Sequence, residues 1–142
     1  MERAEKERVL RTMYEARMRN DFDAIAGIFA PDMHYHMMGS PDGAGMVVQA
    51  ASLSEFRPLT EQMMTTFQMS DLHIRNIVIE GEKAVVHWQV RIQSGSTGDA
   101  ALTDLCDILE FKGDRIVSFV EFCDTALAGR LMRGSALAKS LQ

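Results

Sequence analysis

Leu102-Thr-Asp-Leu-Cys-Asp-Ile-Leu-Glu-Phe111, the turn Lys112-Gly113-Asp114, and Arg115-Ile-Val-Ser-Phe-Val-Glu-Phe-Cys-Asp124 read together as one antiparallel hairpin. Two runs rich in β-branched, aromatic and aliphatic residues flank a short turn containing glycine, the pattern that a hairpin requires. Carboxylates interrupt both runs. Strict alternation puts Asp107 on a face with Thr103, Leu105, Leu109 and Phe111, and Asp124 on a face with Ile116, Ser118, Val120 and Phe122. Burial on such apolar faces raises a carboxyl pKa, and a neutral carboxylic acid can donate a hydrogen bond. Each acid also has a plainer reading. Asp124 can cap the segment Thr125-Ala-Leu-Ala, and Asp107 can meet solvent at a twisted sheet edge.

Outward from the hairpin, the 142 residues make one domain over 1–132, with 133–142 a weakly ordered tail. Hydrophobic residues make up 46% and charged ones 25%, the balance of a globular protein, and the net charge of −5 argues against a nucleic-acid partner. No signal segment or stretch of membrane-spanning length is present, so the expected location is cytoplasmic and no membrane partner is expected. Cys106 and Cys123 lie on neighbouring strands with no CxxC or Cys/His ligand spacing. A disulfide is open to them, but buried free thiols fit better. Eleven methionines suggest a core or cavity lined by adaptable side chains.

Residues 2–19 have the pattern of an amphipathic helix, with Val9, Leu10, Met13 and Ala16 on its face and Asn20 ending it. Asp21 caps a second helix carrying Phe22, Ile25, Ile28 and Phe29, stopped by Pro31-Asp32. Met33–Met38 alternates as a strand, with His34 and His36 on one face and Met33, Tyr35 and Met37 on the other. Gly39-Ser-Pro-Asp-Gly-Ala-Gly45 is a turn-rich loop suited to a lid, and Met46–Ser54 is ambiguous. A third helix from about Glu55 would carry Leu59, Met63 and Phe67, with Pro58 in its first turn. Leu72–Ile79 and Ala84–Ile92 form a further hairpin, Val86, Trp88, Val90 and Ile92 facing inward and His87, Gln89 and Arg91 outward. Trp88 reads as core or interface. After Asp124 the segment through Met132 can form a short helix. The fold expected is α+β: a curved antiparallel sheet wrapped around three helices, cone-shaped with an apolar cavity.

The first helix, Asn20-Asp-Phe-Asp-Ala-Ile-Ala-Gly-Ile-Phe-Ala-Pro-Asp32, the strand ending in Gly39-Ser40, Asp107–Phe119 and the closing Glu121-Phe-Cys-Asp124 carry a resemblance. Over roughly residues 5–130 the chain resembles the nuclear-transport-factor-2-like superfamily, in particular its SnoaL-like and ketosteroid-isomerase-like branches. That scaffold hosts isomerases, cyclases, hydrolases and non-catalytic binders. The resemblance implies a general base on the strand before Gly39-Ser40. It falls on His36 when aligned from Gly39-Ser40 and on Met37 when aligned from Phe29. It also implies a protonated oxyanion-hole carboxyl at Asp107, partnered from the first helix, where Met13 is at the aligned position and Tyr14 one step on. In the epoxide hydrolases of this fold an Asp-Arg-Asp set acts. Asp124 matches its last member, but Gln89 and Arg91 stand where Arg and Asp are wanted, so that activity is not expected.

The candidate site is therefore His36 as base, Asp107 as neutral donor to a developing enolate, and Asp124 and Tyr14 as supporting polar groups. The expected activity is isomerase- or cyclase-type acid/base chemistry on a small carbonyl compound. Neither cofactor nor metal is expected, since His34 and His36 have no evident third ligand. The alternative is a non-catalytic module of the same fold, either one that binds a small apolar ligand or a dimeric association module. A homodimer through the sheet over Leu72–Asp124 is also implied, with His87, Gln89 and Arg91 meeting the partner.

Overall fold

The computed structural model describes residues 1–40, 48–135 and 137–138. The expected lid therefore lies almost wholly outside the described residues. In chain order come α1 (Arg3–Met18), α2 (Phe22–Ala26), β1 (Phe29–Met37), β2 (Val48–Ala50), α3 (Leu53–Thr66), β3 (Phe67–Glu80), β4 (Lys83–Ser94), β5 (Ala100–Lys112), β6 (Arg115–Phe122) and α4 (Thr125–Leu131).

Helices α2, α3 and α4 each start on a side-chain cap. Asp21 accepts from Ala24 N at 3.1 Å to open α2. Ser52 accepts from Glu55 N while the Glu55 carboxylate accepts from Ala51 N at 2.7 Å, a variant of the capping box in which the carboxylate reaches the residue before the N-cap of α3. That box starts α3 two residues before the expected position, which puts Pro58 in its second turn. Helix α2 is shorter than the periodicity suggested. Gly27 caps it, and the Ile28 carbonyl is taken by Ile116 N at 3.0 Å, so Phe29 begins a strand instead of closing a helix.

The six strands form one sheet in the order β2-β1-β6-β5-β4-β3. The hairpins β3–β4, β4–β5 and β5–β6 are antiparallel, whereas β1 runs parallel to β6. The sheet is thus curved and mixed where a wholly antiparallel one was expected. β1 reaches β6 across most of the chain and not through a tight turn, so nothing forces opposite directions. Two irregularities interrupt the ladders on either side of β6. Between Phe29 and His34 the β1–β6 register shifts, around Pro31, which cannot donate to a ladder. Between β5 and β6, Phe111 pairs with Ile116 while Glu110 pairs with Ser118, so Val117 is the extra residue of a β-bulge.

The concave face of the sheet packs on α1, α2 and α3 in one core that includes Leu10, Phe29, Met33, Tyr35, Trp88, Leu109 and Ile116. Leu131, Met132 and Leu137 are buried in the same core, and Ser135 is buried as well, whereas Arg133 and Gly134 are exposed. Among the described residues, no helix is long and apolar enough to cross a membrane.

Candidate active site

Helix α1 buries Leu10, Met13, Tyr14 and Ala16. A stripe broad enough to pack on a curved sheet spans more than one position per turn, so Met13 and Tyr14 both face inward. The Tyr14 hydroxyl donates to Asp107 Oδ2 at 2.5 Å, and Trp88 Nε1 donates to the same oxygen at 2.9 Å. Asp107 is 0% exposed, and its other oxygen has no hydrogen-bond donor among the described residues. Directly opposite it on β6 stands Glu121, also buried. The Glu121 Oε1 accepts from the Tyr35 hydroxyl at 2.9 Å, and Tyr35 Oη also lies 3.9 Å from the Met63 sulfur.

Two carboxyl groups face each other with water excluded, and two like charges cannot share that space. Burial raises the Asp107 pKa well above the usual carboxylate range, and the Glu121 charge and its hydrogen bond raise it further; the Tyr14 and Trp88 donors oppose this. Burial raises Glu121 too, but hydrogen bonds from Asp107 and Tyr35 and the attraction of Arg17 hold it back. The pair therefore keeps its proton on Asp107. A proton there would give Asp107 a donor toward Glu121, the group that faces it across the ladder. Both tyrosines are pushed up, by burial first and then by the adjacent carboxyls, so each remains a neutral donor.

Glu121 opens on a cavity of about 90 Å³. Its wall is mainly apolar, with Met13, Met37, Met63 and Met69 prominent, and its polar members include Tyr14, Tyr35, Arg17, Thr60 and Glu121. Arg17 donates to the carbonyls of Phe67 and Met63 at 2.8 and 3.3 Å, and to Asn20 Oδ1. Burial lowers its pKa to about 10, with Glu121 pulling the other way, so it is a cation at neutral pH.

The four residues expected at the site divide. Tyr14 and Asp107 meet, but not as two donors to a ligand oxygen: Asp107 is the acceptor, and it sits behind the wall that Tyr14, Trp88 and Glu121 form. His36 is not brought to the cavity. It alternates with Tyr35 and Met37, which do line it, and is half-buried on the outer face between Gln49 and Val120. Met37 stands on the cavity wall, and it offers no base. Asp124 caps α4, accepting from Leu127 N at 3.0 Å, and is exposed at the cavity's edge.

The face assigned to Asp124 is also corrected. The bulge at Val117 reverses the alternation of β6, so Ile116, Phe119 and Glu121 point in and Phe122 points out. Glu121 was missed for that reason; phasing the strand from Phe119 would have found it. Arg17 was a second miss, since helical periodicity gave no reason to place a cation on the cavity wall. Cys106 and Cys123 are free and half-buried on opposite sides, Cys106 alongside outward Ile108 and Cys123 on the cavity wall. Burial pushes the Cys123 thiol up to about 12. Among the described residues, no three His, Cys, Asp or Glu side chains are placed to hold a metal ion.

The family model of the SnoaL-like domain matches residues 10–119. None of the curated proteins matches the chain. Among solved structures, an NTF2-like protein of unknown function from Burkholderia pseudomallei is 23% identical, with a TM-score of 0.80 over 92% of this chain and 98% of that one. A protein provisionally named an isomerase, from Bacillus subtilis, gives a TM-score of 0.80 at 12% identity, covering 94% and 96%. An LEH-like epoxide hydrolase from M. tuberculosis gives 0.71 at 15% identity, covering 97% and 96%. At these identities the likeness is one of fold.

Proposed function

The chain belongs to the SnoaL-like domain family of the NTF2-like superfamily, and on that footing we propose that it transfers protons on a small, largely apolar carbonyl compound held in its cavity. The observation that carries this reading is Glu121, a buried carboxylate on an apolar wall backed by a carboxyl that holds its proton. A raised pKa makes it a stronger base than an exposed carboxylate, and it stands where His36 was expected to act. Glu121 takes the C–H proton next to the carbonyl, and the electron pair moves onto the carbonyl oxygen. Arg17, on the same wall, supplies positive potential for that oxyanion. The proton held on Glu121 then returns to another carbon, which completes an isomerisation.

The test is the conversion of cyclohex-3-enone to its conjugated isomer, followed by absorbance. The chain should accelerate it over buffer, and Glu121→Gln should lower the rate by about 100-fold or more. Equal rates for Glu121→Gln and the unaltered chain would overturn Glu121 as the base.

One observation favours a second reading, that of a non-catalytic binding module. Both tyrosine hydroxyls already donate to carboxyls, so neither is offered to a ligand oxygen. Absence of any acceleration would pass the site to that reading.

We also propose that two copies pair through the outer sheet face. Across it, the registers align His36, Val120, Ile108, Val85 and Val78 in one row; Phe122 is exposed two residues from Val120, and Leu102 is exposed further along β5. Sedimentation at micromolar concentration should show a dimer; a species of 15.9 kDa alone would refute the pairing.

A further inference from the structure

Thr60 lies on α3, is 4% exposed, and lines the cavity. Its hydroxyl has no hydrogen-bond partner among the described residues. That is unusual for a threonine in a helix, because the carbonyl four residues back is normally within reach. The same helix shows the ordinary arrangement at Thr65, exposed, whose hydroxyl donates to the Glu61 carbonyl at 3.2 Å. Thr60 has the Phe56 carbonyl in the equivalent place and does not use it. A buried hydroxyl left unpaired carries its full desolvation cost, so something must satisfy it when the site is in use.

A chain of contacts links Thr60 to Glu121. Thr60 precedes Met63 by about 4.5 Å of helix axis. The Met63 sulfur touches the Tyr35 hydroxyl, which in turn donates to Glu121. The cavity wall therefore carries both an anionic acceptor at Glu121 and a hydroxyl with an unused donor at Thr60. Much of the remaining wall is methionine and aromatic carbon.

We infer that Thr60 is a specificity-determining residue, recognising a second polar group on the ligand, a carbonyl oxygen that the hydroxyl donates to. This rests on the reading of Glu121 as the group that engages the other end. The ligand class is a small ring or short apolar body bearing a hydroxyl or acidic C–H for Glu121 and a carbonyl for Thr60.

Titration calorimetry with two probes of similar shape tests it: 4-hydroxyacetophenone, which has both groups, and 4-isopropylphenol, which lacks the carbonyl. The unaltered chain should prefer the ketone. Thr60→Val removes the hydroxyl and keeps the shape. It should weaken the ketone about tenfold and leave the isopropyl compound unchanged, which also verifies that the variant folds. Thr60→Ser should restore the preference. If Thr60→Val leaves the ratio of the two affinities as it was while Glu121→Gln weakens both probes, the Thr60 role is wrong and the Glu121 reading stands. If the unaltered chain binds neither probe at millimolar concentration, both fail.

Discussion

Asp104 and Asp107 sit on the same strand, one turned outward and one inward, and each receives two side-chain donors. Asp104 accepts from His87 Nε2 at 2.7 Å and Gln89 Nε2 at 3.1 Å; Asp107 accepts from Tyr14 and Trp88. The outer carboxyl is driven below its ordinary pKa by those hydrogen bonds, led by His87, whereas the inner one is driven well above it by burial. The number of donors is equal, so donors do not decide the outcome. Water does. On the outer face solvent already stabilises the charge and the donors add to it. On the inner face they offset only part of what the lost hydration and the facing Glu121 take away.

The largest expected effect comes from removing the inner carboxyl without replacing its polar atoms. Asp107→Leu would strand the Tyr14 hydroxyl, the Trp88 indole and Glu121, and should destabilise the fold by about 2–4 kcal/mol in urea unfolding. Asp107→Asn keeps an oxygen for the two donors and an N–H for Glu121, so it should stay within about 1 kcal/mol of the parent. Asp104→Ala, on the exposed side, should shift the unfolding midpoint far less than Asp107→Leu does. A midpoint shift for Asp104→Ala as large as for Asp107→Leu would break the comparison.

A smaller effect, visible as a slope, comes from proton linkage. The folded pKa of Asp107 is raised, so its neutral form favours folding at acid pH, and that advantage is lost as pH climbs from the unfolded value of about 3.9 toward the folded one. Asp104 has the opposite sign: its contribution is present above the unfolded pKa and is lost as pH falls through the folded one. Over pH 5 to 8 the parent should therefore lose stability relative to Asp107→Asn, by at most about 1.4 kcal/mol per pH unit. Parallel stability curves for the two proteins would show that Asp107 is ionised in the folded state.

Much of the fold was legible in the residues. The hairpins, the inward row Val86, Trp88, Val90 and Ile92, and the burial of Asp107 all come from alternation, which is local. What alternation cannot carry is a change of phase. Val117 adds one residue to β6, and every side chain after it exchanges faces, so Glu121 rather than Asp124 reaches the interior. His36 failed for a related reason: the alignment left two adjacent positions open, and adjacent positions on a strand point opposite ways. Thr60 carried no sequence signal, since an unsatisfied hydroxyl is a property of surroundings and not of a residue type.

The parallel seam between β1 and β6 has a consequence for the order of events as the chain folds. Glu121 is held on two sides: its side chain meets Asp107 across a hairpin, but its backbone pairs with Met37, and its carbonyl accepts from Met38 N at 2.8 Å. The first contact is closed by a short turn; the second joins segments separated by β2, α3 and the strands β3 to β5. Contacts between distant parts of a chain cost more entropy to close and form later than hairpins do. That topology predicts a cavity wall assembled in two stages. The carboxyl pair comes together with the β5–β6 ribbon, and Tyr35 and Met37 arrive last, when β1 docks and seals the interior from water.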